Sequence, residues 1–331
     1  MNKTATLTSK LGIDIAKNSF VVSLLHNSKV CTNSFANQSS GYDELALWLK
    51  AQGADKVHAS MEATGRYGCE LAIWLYAQGH EVSVLNPLTI HAYAKSRLSR
   101  NKTDQVDSGL IMQYSNNINA PLPLWQPAPE IVEELRSLLS YLEALKRDQT
   151  SWNNRLKAQP ASAHVKASLE QRLQGLETEI ESLLNHIQTL IEQDNETKQD
   201  LTLLTSIPGI GMTTALWLLS IDMKRFADAR AVTAFIGLSP HKHESGSSVR
   251  KRDKLSKMGN THLRKALYYP ALSALTWNPI IKGLADRLTK RLKPKMVIVG
   301  AAMRKLLVLA YGVLHSRQPF SPDFTSKRQG A

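Results

Sequence analysis

The stretch Pro121 to Pro129, P-L-P-L-W-Q-P-A-P, divides the chain more firmly than any other feature. Four prolines in nine residues remove four backbone donors and fix four φ angles, so the segment can be neither helix interior nor central strand. The residues on its two sides must build separate cores. A chain of 331 residues with 43% hydrophobic content can do so two or three times over.

Before the break, short β-type runs alternate with amphipathic stretches. Strands are expected at Leu11 to Ala16, Phe20 to His26, Val30 to Phe35, Val57 to Met61 and Val82 to Leu85, with helices near Tyr42 to Ala51 and Glu70 to Gln78. Three strands in succession, then strand and helix in turn, is the element order of a ribonuclease-H-like α/β layer fold. After the break the pattern is helical. Ile131, Leu135, Leu138, Leu142 and Leu145 recur at spacings of four and three, and Leu169, Leu173, Leu176, Ile180, Leu183, Ile187 and Leu190 repeat the series. Two such heptad helices, joined around Pro160 to His164, make an antiparallel coiled-coil hairpin, a multimer interface, or a hairpin packed on its own domain. Further helices are expected at Leu201 to Ser206, Thr213 to Ser220, Ala229 to Phe235, Thr261 to Thr276, Pro279 to Leu288 and Lys295 to His315. The expected division is therefore an α/β domain over 1–128, coiled-coil helices over 129–200 and a helical domain over 201–331.

Asp14 lies inside the first apolar run, Glu62 ends another, and Asp104 and Asp107 stand three apart on an expected helix, where they share a face. A carboxylate at the centre of an apolar strand costs several kcal/mol unless a cation neutralises it. Hard cations take oxygen ligands, so four convergent acids suit Mg²⁺ in phosphoryl chemistry. Singly, Asp107 and Glu62 also read as helix caps or surface residues, whereas Asp14 is flanked by Ile13 and Ile15, whose side chains leave the strand on the opposite face.

Net charge of +13 with a pI near 9.7 calls for a polyanionic partner, because clustered Lys and Arg gain affinity by releasing counterions from phosphates. An acidic membrane is the competing polyanion. Against it, the N-terminus has no apolar leader, and the long apolar stretch Met296 to Leu314 is interrupted by Arg304 and Lys305. A soluble, unexported, cytoplasmic protein is expected. Cys31 and Cys69 are the only cysteines, without C-x-x-C spacing, so neither a disulfide framework nor a zinc site is supported.

Two later segments carry candidate chemistry. Ile207-Pro208-Gly209-Ile210-Gly211 reads either as a helix-hairpin-helix element, whose Gly209 and Gly211 free backbone N–H groups for a phosphate, or as a glycine turn between packed helices. The polar stretch from Gly237 to Asn260 reads as a basic loop around Ser245-Gly246-Ser247-Ser248. Its residue types fit phosphate binding or a solvated loop better than a nucleophile, and no Ser-His-Asp order is demonstrable. Arg100, Lys102, Lys242, Arg250, Lys251, Arg252, Lys254, Lys257, Arg264 and Lys265 are the candidate nucleic-acid contacts alongside the two glycines.

In chain order, G-I-D-I-A-K, M-E-A-T-G-R-Y, R-N-K-T-D-Q-V-D, S-I-P-G-I-G, A-F-I-G-L-S-P, E-S-G-S-S-V-R and S-K-M-G-N-T-H-L-R-K-A-L-Y resemble the transposases of the insertion sequence 110 family. These are RNA-guided serine recombinases with an N-terminal RuvC-like domain and a C-terminal transposase domain. The resemblance spans nearly the whole chain, and the ordered set is far more specific than any one motif. It implies a DEDD tetrad of Asp14, Glu62, Asp104 and Asp107 holding Mg²⁺, and a nucleophilic Ser245, with Ser247 or Ser248 next in line. It further implies donor and target DNA, an element-encoded guide (bridge) RNA, and a homo-oligomer, dimer or tetramer. The rival expectations are a RuvC-like nuclease in which Ser245 only touches phosphate, and a nonenzymatic nucleic-acid-binding scaffold.

Overall fold

The computed structural model describes residues 9–63, 65–97, 104–158, 162–245 and 249–322. They form two compact units, Met1–Pro127 and Ala128–Ala331.

The first unit is built on one sheet of five strands: β1 (Ser9–Ile15), β2 (Ser19–His26), β3 (Lys29–Ala36), β4 (Val57–Glu62) and β5 (Glu81–Leu85). Their order is β3-β2-β1-β4-β5. The first three strands pair antiparallel, while β1 with β4 and β4 with β5 are parallel. The β2–β3 hairpin closes on Asn27 and Ser28, both at positive φ, the geometry whose twist matches a two-residue hairpin. Among the described residues four α-helices accompany the sheet: α1 (Ser39–Ala51), α2 (Cys69–Ala77), α3 (Pro87–Ser96) and α4 (Asp104–Asn117). The expected strands and helices all form. The sequence reading passed over α3, although Asn86-Pro87 announces it: the Asn86 side chain accepts from the Leu88 N–H, with proline in the first turn.

The two sheet faces differ in chemistry because strand residues alternate. Leu11, Ile13, Phe20, Val22, Leu24, Val57, Ala59, Met61 and Val82 make an apolar core with Tyr42, Leu45, Leu49, Leu71 and Leu75. The opposite face carries Gly12, Ser23, Ser60 and Ser83 in one register row. These small residues let α4 approach closely: a Cβ on Gly12 would stand 2.2 Å from the Ser108 carbonyl and 2.3 Å from the Met112 nitrogen. Ser23 pairs with Ser108 at 2.9 Å, and Ser60 donates to Ser115 at 3.0 Å. The seven helical steps from Ser108 to Ser115 rise about 10 Å, close to two strand spacings of about 4.8 Å, so α4 crosses the sheet from β2 to β4 over β1.

At one end of that row, the Lys10 ammonium donates to His58 Nδ1 at 3.0 Å, which leaves Nε2 to donate to Ser83 Oγ at 2.8 Å. Ser83 then donates to the Pro123 carbonyl at 3.0 Å, tying the proline-rich segment to β5. Burial, aided by Lys10 and opposed by Glu81, holds the His58 pKa below its ordinary value of 6.5; burial and then Lys56 do the same for His80. Both rings therefore resist protonation in the folded unit, and the unfolded chain takes up protons more readily. Their contribution is complete above pH 6.5 and is lost as pH falls below it. Melts of the full chain should show the first unit losing stability between pH 7.5 and pH 5, with a shallower loss in His58→Gln. An equal slope in that variant would clear His58 of the effect.

The described residues of the second unit are helical apart from one hairpin and its connections. The paired helices α5 (Glu130–Lys157) and α6 (Ala163–Gln193) lead into α7 (Asn195–Thr205), α8 (Met212–Leu219) and α9 (Ala229–Ile236). Then come β6 (Pro240–Ser245), β7 (Val249–Leu255), α10 (Thr261–Ala266), α11 (Tyr268–Trp277), α12 (Pro279–Lys290) and α13 (Lys295–Ser316). Leu135, Leu139, Leu142 and Leu145 on α5 and Ile180, Ile187 and Ile191 on α6 belong to the same buried cluster as Leu204, Leu218, Ile236 and the body of α13. Leu176, Leu183 and Leu190 pack against that cluster only partly buried. By length and composition α13 could cross a membrane, yet 67% of its most apolar window is buried within the unit.

Two expectations change here. The stretch read as a polar loop folds in part into an antiparallel β6–β7 pair, with a register shift between His241 and His243. It shows no apolar alternation, so the sequence held no strand signal. The single helix expected over Thr261 to Thr276 is broken at Leu267. Pro270 cannot donate to the Ala266 carbonyl. That carbonyl accepts from Thr214 Oγ1 at 3.4 Å instead.

Candidate active site

Asp14 and Glu62 are neighbours across the parallel β1–β4 pair, one step beyond the registered partners Ile13 and Met61. Both follow Gly12 and Ser60 by two residues, so they share the polar face that α4 covers, and both are half-buried. They sit at the carboxyl ends of parallel strands, where open α/β sheets bind their ligands. Asp107, also half-buried, directly precedes the Ser108 that anchors α4 to β2. Asp104 begins α4 one turn earlier; its side chain is outside the described atoms. Among the described residues, no three His, Cys, Asp or Glu side chains converge as a metal centre. The donors that are described are of the type a hard cation takes: two half-buried carboxylates on adjacent strands, and Asp107 on α4.

Gly209 and Gly211 separate in role. Gly209 takes φ +104°, and a Cβ there would stand 2.7 Å from Ala274 Cβ and 2.9 Å from the Pro270 carbonyl, so α11 requires it. Gly211 is the N-cap of α8, makes no side-chain cap, and has open space around its Cα. The turn between them is held by Asn278, which is fully buried, donates to the Pro208 carbonyl at 3.2 Å, and accepts from Ile280 N and Ile281 N to cap α12. Sequence reasoning passed over Asn278, although Asn before Pro279 is a helix-start signal.

Ser245 ends β6 and pairs with Val249, so its backbone stands at the closing end of the hairpin. Gly246, Ser247 and Ser248 lie outside the described residues, as do Arg100 and Lys102 and the side chains of Lys242, Ser245, Arg250, Lys251 and Arg252. Register pairs His243 with Lys251 and Glu244 with Arg250, which puts cationic residues along the β7 arm. Lys254, Lys257 and Lys265 are exposed. Arg264 is committed internally: Nη1 donates to the Ile236 carbonyl at 2.8 Å and the Gly259 carbonyl at 3.0 Å, and Nη2 to Thr261 Oγ1 at 3.0 Å. It thereby ties the end of α9 to the start of α10. Gly237 and Gly259, at φ +78° and +137°, leave room for that crossing.

Residues 11–162 match a family model described as a transposase, the DEDD domain of IS110 elements, and residues 201–285 match the family "Transposase IS116/IS110/IS902 family". Over 315 residues the chain is 35% identical to the pilin gene-inverting proteins of Moraxella lacunata and Moraxella bovis, covering 94% of this chain and 97% of each relative. It is 24% identical over 305 residues to the transposase for insertion sequence element IS1111A of Coxiella burnetii, covering 80% of this chain and 77% of that protein. The acids on the polar sheet face and the serine-bearing hairpin fall in or beside these matched segments, and the chain belongs to the IS110 family of transposases.

Proposed function

We propose that the chain is a site-specific recombinase that cuts and rejoins donor and target DNA through a serine ester, with metal assistance and under the direction of an element-encoded guide RNA. The observation that carries the enzymatic reading is the pair of half-buried carboxylates, Asp14 and Glu62, side by side at the carboxyl ends of β1 and β4. β-Sheet register brings the two acids together at the end of the sheet where open α/β folds bind their ligands. Strand order and direction support a ribonuclease-H-like, RuvC-like fold for the first unit, with α5 and α6 as a coiled-coil segment and the rest as a serine transposase domain. The α7–α8 turn is a helix-hairpin-helix-like element. The half-covered leucines Leu176 and Leu183 are where a second copy would pack in a homo-oligomer.

Asp14, Glu62, Asp104 and Asp107 would hold Mg²⁺, which when bound supplies Lewis-acid stabilisation to a phosphoryl oxygen. The chain's own residues carry the bond changes. Ser245 Oγ attacks phosphorus and loses its proton, while the bond to the leaving sugar oxygen breaks and that oxygen gains one. A sugar hydroxyl of the partner strand then attacks the phosphoserine and frees Ser245, so one phosphodiester is exchanged for another without an external energy source. Arg250, Arg252 or Lys254 would steady the pentacoordinate charge.

The test is to incubate the protein with DNA carrying element ends, with Mg²⁺ or with EDTA, and to denature before electrophoresis. A Mg²⁺-dependent adduct that resists denaturation and maps by mass spectrometry to Ser245 is the expected result. Nicked DNA with no adduct would favour the metal-dependent nuclease, and no cleavage in either condition would favour the binding scaffold.

A further inference from the structure

The turn between α12 and α13 holds the most conspicuous cluster of uncommitted charge among the described residues. Lys282, Arg287, Lys290, Arg291, Lys293 and Lys295 stand within fourteen residues against a single acid, Asp286, and all six are exposed. Several other cations of this unit are consumed internally: Lys224 bonds Asp200 and Glu196, Arg317 bonds Asp200, Arg136 donates to the Ser220 carbonyl, and Arg264 to two carbonyls. None of the six makes an ion pair among the described residues. Burial and then the charge of Arg287 hold the Lys305 pKa below its ordinary value, so the positive field extends to the flank of α13.

The turn itself is unusual. Lys293 N donates to the Leu288 carbonyl at 3.1 Å and Leu292 N to the Thr289 carbonyl at 2.9 Å, the pair of bonds that closes a Schellman motif. The position they define favours glycine because it needs a left-handed backbone. Here it holds Leu292 at φ 53°, with 91% of its surface exposed. Met296, the second residue of α13, is also 65% exposed. A leucine kept in a strained conformation at a fully exposed apex has no packing role, and such outliers gather at binding sites.

We propose that the α12–α13 turn is a duplex-DNA contact in which Leu292 enters the minor groove and the cations on either side of it hold the two flanking phosphate strands. Lys290 and Arg291 precede the apex and Lys293 and Lys295 come after it, which matches a groove bounded by two anionic rails. Apolar wedges of this kind partly unstack a base step and bend the duplex. A single strand offers one rail only.

The inference rests on the DNA-acting reading of the chain, and its test avoids strand exchange. Binding of the full-length protein to a duplex of about 30 base pairs is followed by fluorescence anisotropy across a salt series, and end-to-end energy transfer reports bending. The quadruple variant Lys290→Gln, Arg291→Gln, Lys293→Gln, Lys295→Gln should weaken binding about 100-fold and lower the slope of log K against log salt by about three to four, at about 0.9 per phosphate contact. A control losing the same charge at the exposed Lys29, Lys50, Lys56 and Lys198 should change the slope little. Leu292→Ala should keep the slope and lose the bend. Equal losses in the quadruple variant and the control, an unchanged slope in a folded quadruple variant, or a loss confined to single-stranded RNA or anionic vesicles would overturn the proposal. So would unaltered bending by Leu292→Ala. A parent protein with no affinity for duplex DNA would sink the recombinase reading as well.

Discussion

Replacing Ser245 with alanine should cut strand exchange by at least about 10⁴-fold, the scale on which removal of a nucleophile acts, while duplex affinity stays within about twofold because affinity follows charge. The change deletes one oxygen from the residue whose backbone ends β6 at the closing end of the hairpin. Thermal stability should match the parent. The decisive readout is the denaturation-resistant adduct, which should vanish in Ser245→Ala. If the adduct persists, its mapped serine identifies the nucleophile, with Ser247 and Ser248 the next candidates. Loss of exchange with an undiminished adduct would place Ser245 in rejoining rather than attack.

Asp14→Asn should lower Mg²⁺-dependent recombination by more than about 100-fold, since loss of an outer-shell partner alone already reaches that range at metal sites. The amide keeps the shape of the carboxylate and discards the charge that a hard cation needs. Stability separates this from a structural role. Asp14 and Glu62 stand side by side at the ends of β1 and β4. Because the exchange keeps the side chain's shape, the metal-free variant should melt close to the metal-free parent, while Mg²⁺ should raise its melting temperature less than the parent's. A variant that melts well below the parent without metal, or that recombines at the parental rate, would make Asp14 a structural residue.

Hydrophobic spacing made most of the elements legible. The alternation of Leu11, Ile13 and Ile15 announces a strand, and the heptads of α5 and α6 announce two long helices. Where the reading fell short, the deciding interaction was distant or invisible to spacing. Pro270 splits α10 from α11, and the split persists because Thr214, far back in the chain, receives the carbonyl that the proline abandons. The β6–β7 hairpin has polar strands, held by backbone pairing that no side-chain period reports.

The sequence by itself determined which residues could bear chemistry, because a carboxylate in an apolar run and glycines beside a helix start are local facts. It also determined that the chain breaks at Pro121 to Pro129, since proline's missing donor acts wherever it stands. Only the tertiary structure decided which of those residues are free to act. Gly209 is spent on a backbone approach to Pro270 and Ala274, and Arg264 on carbonyls of two other segments. Asp14 and Glu62 become neighbours through β-sheet register, and among the described residues no acid pairs with the cations around Leu292. Each outcome turns on partners remote in sequence, and a one-dimensional pattern cannot specify which distant atoms will satisfy a given charge or donor.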